Sequence, residues 1–187
     1  MICETIIVSV DVDGAAHVTP FGVKHEGNHI VISPFKPSKT LSNILATESA
    51  TMNLTDDVRI FAGALTKRQP WTLLRAKKVN GFRLENCLNH VELSLVEVRE
   101  DAERPQLVMQ PVETQQHASF QGFNRAQAAV IELAVLASRL QMLPAEKVES
   151  ELQYLQIAID KTAGERELEA WGWLNDKINA YYEENPA

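Results

Sequence analysis

The sequence has only two cysteines, Cys3 and Cys87, among 187 residues. They form neither a disulfide framework nor a metal-ligand spacing, so a reduced, cytoplasmic protein is expected. No apolar run approaches the roughly 20 residues a bilayer-spanning helix needs. Met1-Ile2-Cys3-Glu4 lacks a basic start followed by an apolar stretch, and secretion is not indicated. Positive charge is also short: the formal net charge is −7. Residues 1–121 hold 12 Lys and Arg against 14 Asp and Glu, and residues 122–187 hold 6 against 11. That balance lacks the basic footprint of a nucleic-acid binder. The acidity gathers in the C-terminal third, where it reads as a solvated helix surface. With 45% apolar and 23% charged residues, the chain has the composition of a globular protein rather than a disordered one.

Periodicity divides the chain in two. Ile6, Val8, Val10 and Val12 alternate over Thr5 to Val12 and predict a strand. Asp13-Gly14 follows as a hairpin turn, since both residues tolerate positive φ. A second extended stretch runs from Ala15 towards Val23. Glu26-Gly27-Asn28 turns the chain again, and His29 to Ser33 returns as a third strand. The period then changes: Ser38 caps a short helix with Leu41, Ile44 and Leu45 on one face. Ala50 to Leu54 fits a buried strand, and Thr55-Asp56-Asp57 leads into a second short helix over Val58 to Leu65. Gln69-Pro70 ends it. Asn86 to Val98 and Leu107 to Thr114, separated by the Arg104-Pro105 turn, complete the strands.

From Asn124 the pattern is helical. An Ala-rich run carries Val130, Leu133, Leu136 and Leu140, and Pro144 opens a helix reaching Ile159. After Gly164, Leu168, Trp171, Leu174, Ile178 and Tyr181 line a third. About six strands followed by three helices make an α+β chain with a boundary near Gly122, giving domains of residues 1–121 and 122–187.

The segment from His17 to Asn53 holds the candidate chemistry. Thr19-Pro20-Phe21-Gly22 and Ser33-Pro34-Phe35 put two Pro-Phe pairs at the ends of neighbouring strands. Proline ends regular pairing and frees backbone groups to face a ligand edge. Phe21 and Phe35 can wall an aromatic ring, or serve as ordinary core aromatics. Pro37-Ser38-Lys39-Thr40 then starts a helix, whose unpaired N–H groups, with the Ser38 and Thr40 hydroxyls and the Lys39 ammonium, suit an anion. The plainer reading is that Ser38 merely caps its own helix.

These elements, together with Asp13-Gly14, Thr40-Leu41-Ser42-Asn43-Ile44 and Met52-Asn53-Leu54, resemble the FMN-binding split-barrel superfamily in its flavin-reductase-like branch. The whole chain is similar to the domain-of-unknown-function family numbered 447, found in archaea and methylotrophic bacteria. The resemblance implies an antiparallel split β-barrel with a C-terminal three-helix subdomain, and a homodimer with two FMN sites at the subunit interface. Carried over by position, Thr19, Pro20, Phe21 and Gly22 would lie along the isoalloxazine. Ser33 would sit near the ring or ribityl chain, and Ser38, Lys39, Thr40 and Asn43 at the phosphate, with Asn53 as an addition. The arginine pair typical of pyridoxamine oxidases is not evident, so that activity is not carried over. The expected function is a flavin-dependent oxidoreductase, with the flavin supplying the redox chemistry and no catalytic side chain nominated. The alternatives are a flavin-binding or regulatory module without turnover, and a protein using a deazaflavin or a pterin-linked C1 partner.

Other features invite plainer readings. Lys67, Arg68, Arg75, Lys77, Lys78 and Arg83 lie in a stretch without acids between Asp57 and Glu85, which reads as a solvated loop or an anion-attracting one. His25 and His29 flank a Gly-Asn turn and so sit on separate strands, short of a metal site. His90 and Glu92 share a strand face, a pair suited to proton transfer or, more plainly, a surface hydrogen-bonded pair. Trp171, Trp173, Tyr181 and Tyr182 read as packing.

Overall fold

The computed structural model describes residues 1–185 and divides the chain into two compact units. The first comprises residues 1–55 and 71–120, and the second residues 56–70 and 121 onward.

The first unit is a closed six-stranded antiparallel barrel. Its strands are β1 (Ile2–Val10), β2 (Ala16–Glu26), β3 (His29–Ile32), β4 (Ser49–Leu54), β7 (Asn89–Arg99) and β8 (Gln106–Gln116), in the order β1-β2-β3-β8-β7-β4. β4 closes the ring by pairing with β1. Glycines hold the first two turns, with Gly14 at φ 82° and Gly27 at φ 58°. Val12 falls beyond β1 and is 77% exposed, so the alternating run ends one step earlier than its apolar pattern suggests. β1 is instead buried on both faces from Thr5 to Val10.

The barrel interior takes every second residue: Ile7, Ile30, Ile32, Ala50, Met52, Val91, Leu93, Leu107 and Met109. α1 (Lys39–Thr47) adds Leu41 and Ile44 to the same core. Ser38 is its N-cap, accepting the Leu41 N–H at 3.3 Å, and Glu48 ends it at φ 52°.

A small hairpin, β5 (Leu73–Arg75) and β6 (Phe82–Leu84), lies between β4 and β7 in sequence and was not apparent from periodicity. It is held by the opposite face of β4. The Ser49 hydroxyl donates to the Asn80 carbonyl at 3.1 Å, and the Thr51 hydroxyl to the Phe82 carbonyl at 2.6 Å. Asn53 Oδ1 accepts the Leu84 N–H at 2.9 Å. Period two thus divides β4 between an apolar core and a polar docking face.

The second unit is helical: α2 (Arg59–Thr66), α3 (Arg125–Ala137), α4 (Ala145–Thr162) and α5 (Glu165–Glu184), with a 3-10 turn at Leu140–Met142. α2 lies within the N-terminal part of the sequence, yet its Val58 and Ala62 flank join the core of the other three helices. Asn124 caps α3 by accepting the N–H groups of Ala126 and Gln127. Ala126, Ala129, Val130, Leu133, Ala134 and Ala137 form the buried stripe of α3, and small residues there let neighbouring helices approach closely. Trp171, Leu174 and Ile178 of α5 meet this core together with Val148, Leu155 and Ile159 of α4. Trp173, Tyr181 and Tyr182 pack against the same cluster, with the Arg68 guanidinium 5.3 Å from the Trp173 ring centroid. Among the described residues no helix is long and apolar enough to cross a membrane.

Leu133 is fully buried in the helical core. Leu133→Ala is expected to lower stability by about 2–5 kcal/mol, measured as a shift of the denaturant midpoint. A loss below about 1 kcal/mol would show that this core does not carry the fold.

Candidate functional site

The register of β2 creates the site. Residues 16–24 pair with β1, but β3 pairs only with Lys24, His25 and Glu26. From His17 to Val23, the second edge of β2 therefore has no strand partner among the described residues. Alternate backbone N–H and C=O groups along this stretch point away from β1 into open space. Pro20, opposite Ile6, is tolerated because its missing N–H removes nothing from a central ladder. Phe21 is half-buried and packs on the barrel core, whereas Gly22 is exposed.

The start of α1 lies at the His17 end of this edge. Thr19 Oγ1 and His17 Nε2 are 2.6 Å apart. Burial, reinforced by the neighbouring Lys39 ammonium, pushes the His17 pKa below its ordinary value. Lys39 Nζ is half-exposed, 3.9 Å from Asp11 Oδ2. Asp11 Oδ1 meanwhile accepts the Asp13 and Ala15 N–H groups in the first turn. Asn43, one turn into α1, is 3% exposed and donates from Nδ2 to Ser9 Oγ at 3.0 Å. Thr40, in the first turn of α1, is 1% exposed.

Of the residues singled out in the sequence, Thr19, Lys39 and Asn43 are thus gathered about one corner. Ser38 is there too, its oxygen accepting from the cap. Gly22 and Ser33 meet elsewhere, in an open cleft of about 430 Å³ that also involves Lys24, Asp101, Arg104 and Gln106. Arg104 donates to the Ser33 carbonyl at 3.1 Å and stacks 4.4 Å over the exposed Phe35 ring. Asn53 stands apart: both ends of its buried amide are engaged within the protein, Nδ2 by Ile6 and Thr51 and Oδ1 by Leu84. His17 joins this corner with no motif of its own to mark it; the one signal is its place two residues before Thr19, which puts both side chains on one strand face.

The His90–Glu92 pair is not at the surface. The two residues are 1% and 0% exposed, with His90 Nε2 3.3 Å from Glu92 Oε1. The Glu92 carboxylate accepts the backbone N–H groups of Lys77, Lys78 and Val79 at 2.7, 2.6 and 2.9 Å. His90 Nδ1 meets His117 Nε2 at 2.8 Å, with the rings stacked. Desolvation pushes Glu92 up, but the three backbone donors and His90 outweigh it and hold the carboxyl below its ordinary range. Burial lowers His90 despite its Glu92 partner.

The basic stretch is correspondingly divided. Arg68 belongs with the helices, Arg75 stacks 4.3 Å over Phe82, and Arg83 donates to the Leu84 and Glu85 carbonyls. His25 and His29 lie on adjacent strands, and among the described residues no three ligating side chains cluster for a metal.

A six-stranded barrel whose second strand is unpaired along half of one edge has the architecture of the FMN-binding, flavin-reductase-like split barrels. Residues 3–118 match the N-terminal domain model of the protein of unknown function DUF447, and residues 124–176 match the C-terminal model of the same family. The chain belongs to that family. It is similar in structure to an FMN-bound DUF447 protein from Methanosarcina mazei, with 19% identity and a TM-score of 0.81 over 94% of both chains. It also resembles a putative flavin reductase with a split-barrel domain from Shewanella frigidimarina: 16% identity, TM-score 0.56, 66% of this chain and 74% of that one. A third likeness is to an FMN-binding protein from Thermus thermophilus with bound 1-cyclohex-2-enone: 13% identity, TM-score 0.54, 62% of this chain and 71% of that one. No curated protein matches the chain.

The buried pair has a pH consequence. Because His90 titrates below its ordinary 6.5 in the fold, the unfolded chain takes up its proton first as pH falls. The stabilisation is intact above about pH 6.5 and is lost below it. Glu92, also lowered, adds a loss of the same sign below its ordinary 4.5. The melting midpoint is expected to fall between pH 7 and pH 5.5, and to fall less in His90→Gln. Equal falls in the two proteins would place the origin elsewhere.

Proposed function

We propose that this chain is an FMN-binding flavoprotein, that it acts as a flavin-dependent oxidoreductase, and that it works as a homodimer with FMN at the subunit interface. The observation that carries the cofactor assignment is the corner of Lys39, Thr40 and the first turn of α1, set against the open edge of β2. A phosphate monoester needs a cation, hydroxyl donors and unpaired N–H groups at one point. Lys39 supplies the charge, the buried Thr40 hydroxyl a donor, and the helix start the N–H groups beyond the one Ser38 satisfies. The residues therefore fit the group.

Along β2, the alternate backbone groups of residues 17–23 that face away from β1 suit the polar edge of a fused ring system, and Phe21 offers an apolar face. When bound, FMN would supply hydride transfer. The protein's part is to orient the ring, hold its anionic tail and limit the approach of water. The FMN-bound Methanosarcina relative and the split-barrel flavin reductase support this reading. Phosphate docking at α1 is common to the oxidoreductase and to a flavin-binding module without turnover.

Two measurements separate these. Fluorescence titration of flavin-free protein is expected to show FMN binding that weakens by about tenfold or more in the Lys39→Ala/Thr40→Ala double variant. Riboflavin, which lacks the phosphate, should bind both proteins alike. Equal FMN affinity in the two proteins would remove the phosphate from α1. Anaerobic loss of flavin absorbance on adding NADH or NADPH supports turnover, and a flavin unreduced by either supports the binding module.

A further inference from the structure

The phosphate corner holds a histidine with no part in the cradle just described. His17 sits on the same face of β2 as Thr19, is half-buried, and shares a 2.6 Å hydrogen bond with the Thr19 hydroxyl. The charged groups around it are few. From α1 comes Lys39, and from the end of β1 comes Asp11, 3.9 Å from that lysine. Directly across on β1 is Ser9, which is uncharged and accepts from Asn43.

We propose that His17 is the proton-linked member of the anion site: when a phosphate monoester dianion docks beside Lys39 and Thr40, the His17 imidazole takes up a proton, and the anion then faces two cations. This rests on the flavin reading above and deepens it. Without a ligand, burial and the Lys39 charge both disfavour the imidazolium, so His17 is neutral near pH 7. A dianion placed beside Lys39 reverses the sign of the local field, and an opposite charge within about 4–6 Å stabilises the protonated ring. The hydrogen bond to Thr19 gives the proton a further effect. With Nε2 unprotonated, the ring accepts the Thr19 hydroxyl proton. Once Nε2 carries hydrogen it donates to Thr19 Oγ1, and the hydroxyl proton is released to point at a phosphate oxygen.

Linkage fixes the direction. If binding brings a proton to His17, affinity falls as pH rises between the free and the bound pKa, by at most about tenfold per pH unit for one proton. The test is calorimetric titration of flavin-free protein with FMN and with riboflavin from pH 6 to 8.5, about one half-unit apart, in two buffers of different ionisation enthalpy. The native protein is expected to take up protons on binding FMN, lose FMN affinity as pH rises, and bind riboflavin with no such slope. His17→Gln should bind FMN with a shallower slope and less proton uptake. His17→Lys, which keeps the charge across this range, should retain affinity at high pH and lack the slope. The phosphate's own titration is common to all three proteins and cancels in the comparison. Identical slopes in the native protein and His17→Gln overturn the proposal. Absence of proton uptake by the native protein overturns it as well, even if neither variant folds. Failure of the native protein to bind FMN at any pH overturns the flavin reading itself, a result distinguishable from the other two.

Discussion

The barrel unit depends on a sheet face that is polar and yet buried. Ser49, Thr51 and Asn53 on β4, with His90 and Glu92 on β7, lie side by side across the pairing of those strands, Thr51 opposite Glu92 and Asn53 opposite His90. All five are buried. Each would cost about 1–3 kcal/mol if left unsatisfied, so the fold requires a cover that supplies backbone partners. The β5–β6 hairpin is that cover. Its three-residue strands have too little pairing of their own to persist alone. Its position is set by the hydrogen bonds from Asn80, Phe82 and Leu84 to β4, and from residues 77–79 to Glu92. A carboxylate without a full cationic partner is admitted to this interior because three N–H dipoles converge on it.

The parts legible in the sequence were those governed by local rules. Alternation and Asp-Gly and Gly-Asn turns located the first three strands, Ser38 marked the start of α1, and the Asn124 cap and helical spacing located α3. The parts that escaped were set by tertiary pairing. Period two places His90 and Glu92 on one face, but it does not say which face meets solvent. β5 and β6 are too short for any periodicity to register. His117, 27 residues from His90, comes beside it only through the register of β7 and β8. α2 has an ordinary amphipathic pattern, and nothing in that pattern reveals that its apolar side faces helices 60 or more residues away in sequence.

The candidate site divides in the same manner. Thr19, Lys39 and Asn43 converge because a strand and the helix that follows the next strand are neighbours by short connections. The open edge that makes β2 suited to a ligand follows from β3 pairing with only three of its residues, a matter of length mismatch between an 11-residue and a 4-residue strand. Asn53 lies in a motif that resembles the family's, and its amide is nevertheless committed to the hairpin. Short sequence elements of this kind mix ligand contacts with scaffold contacts, and the hydrogen-bond inventory of each side chain separates them.

A strand edge left bare is ordinarily a hazard, because its row of unused donors and acceptors is a template on which another polypeptide can crystallise as an added strand. Pro20 sits in the middle of that row. A pyrrolidine nitrogen cannot donate, and its ring obstructs the flat approach of an incoming backbone, so the rim resists colonisation by extended chains. A compact planar molecule needs only a few contacts and is not obstructed in the same way. The imino acid thus acts as a filter by shape along this bare stretch of β2.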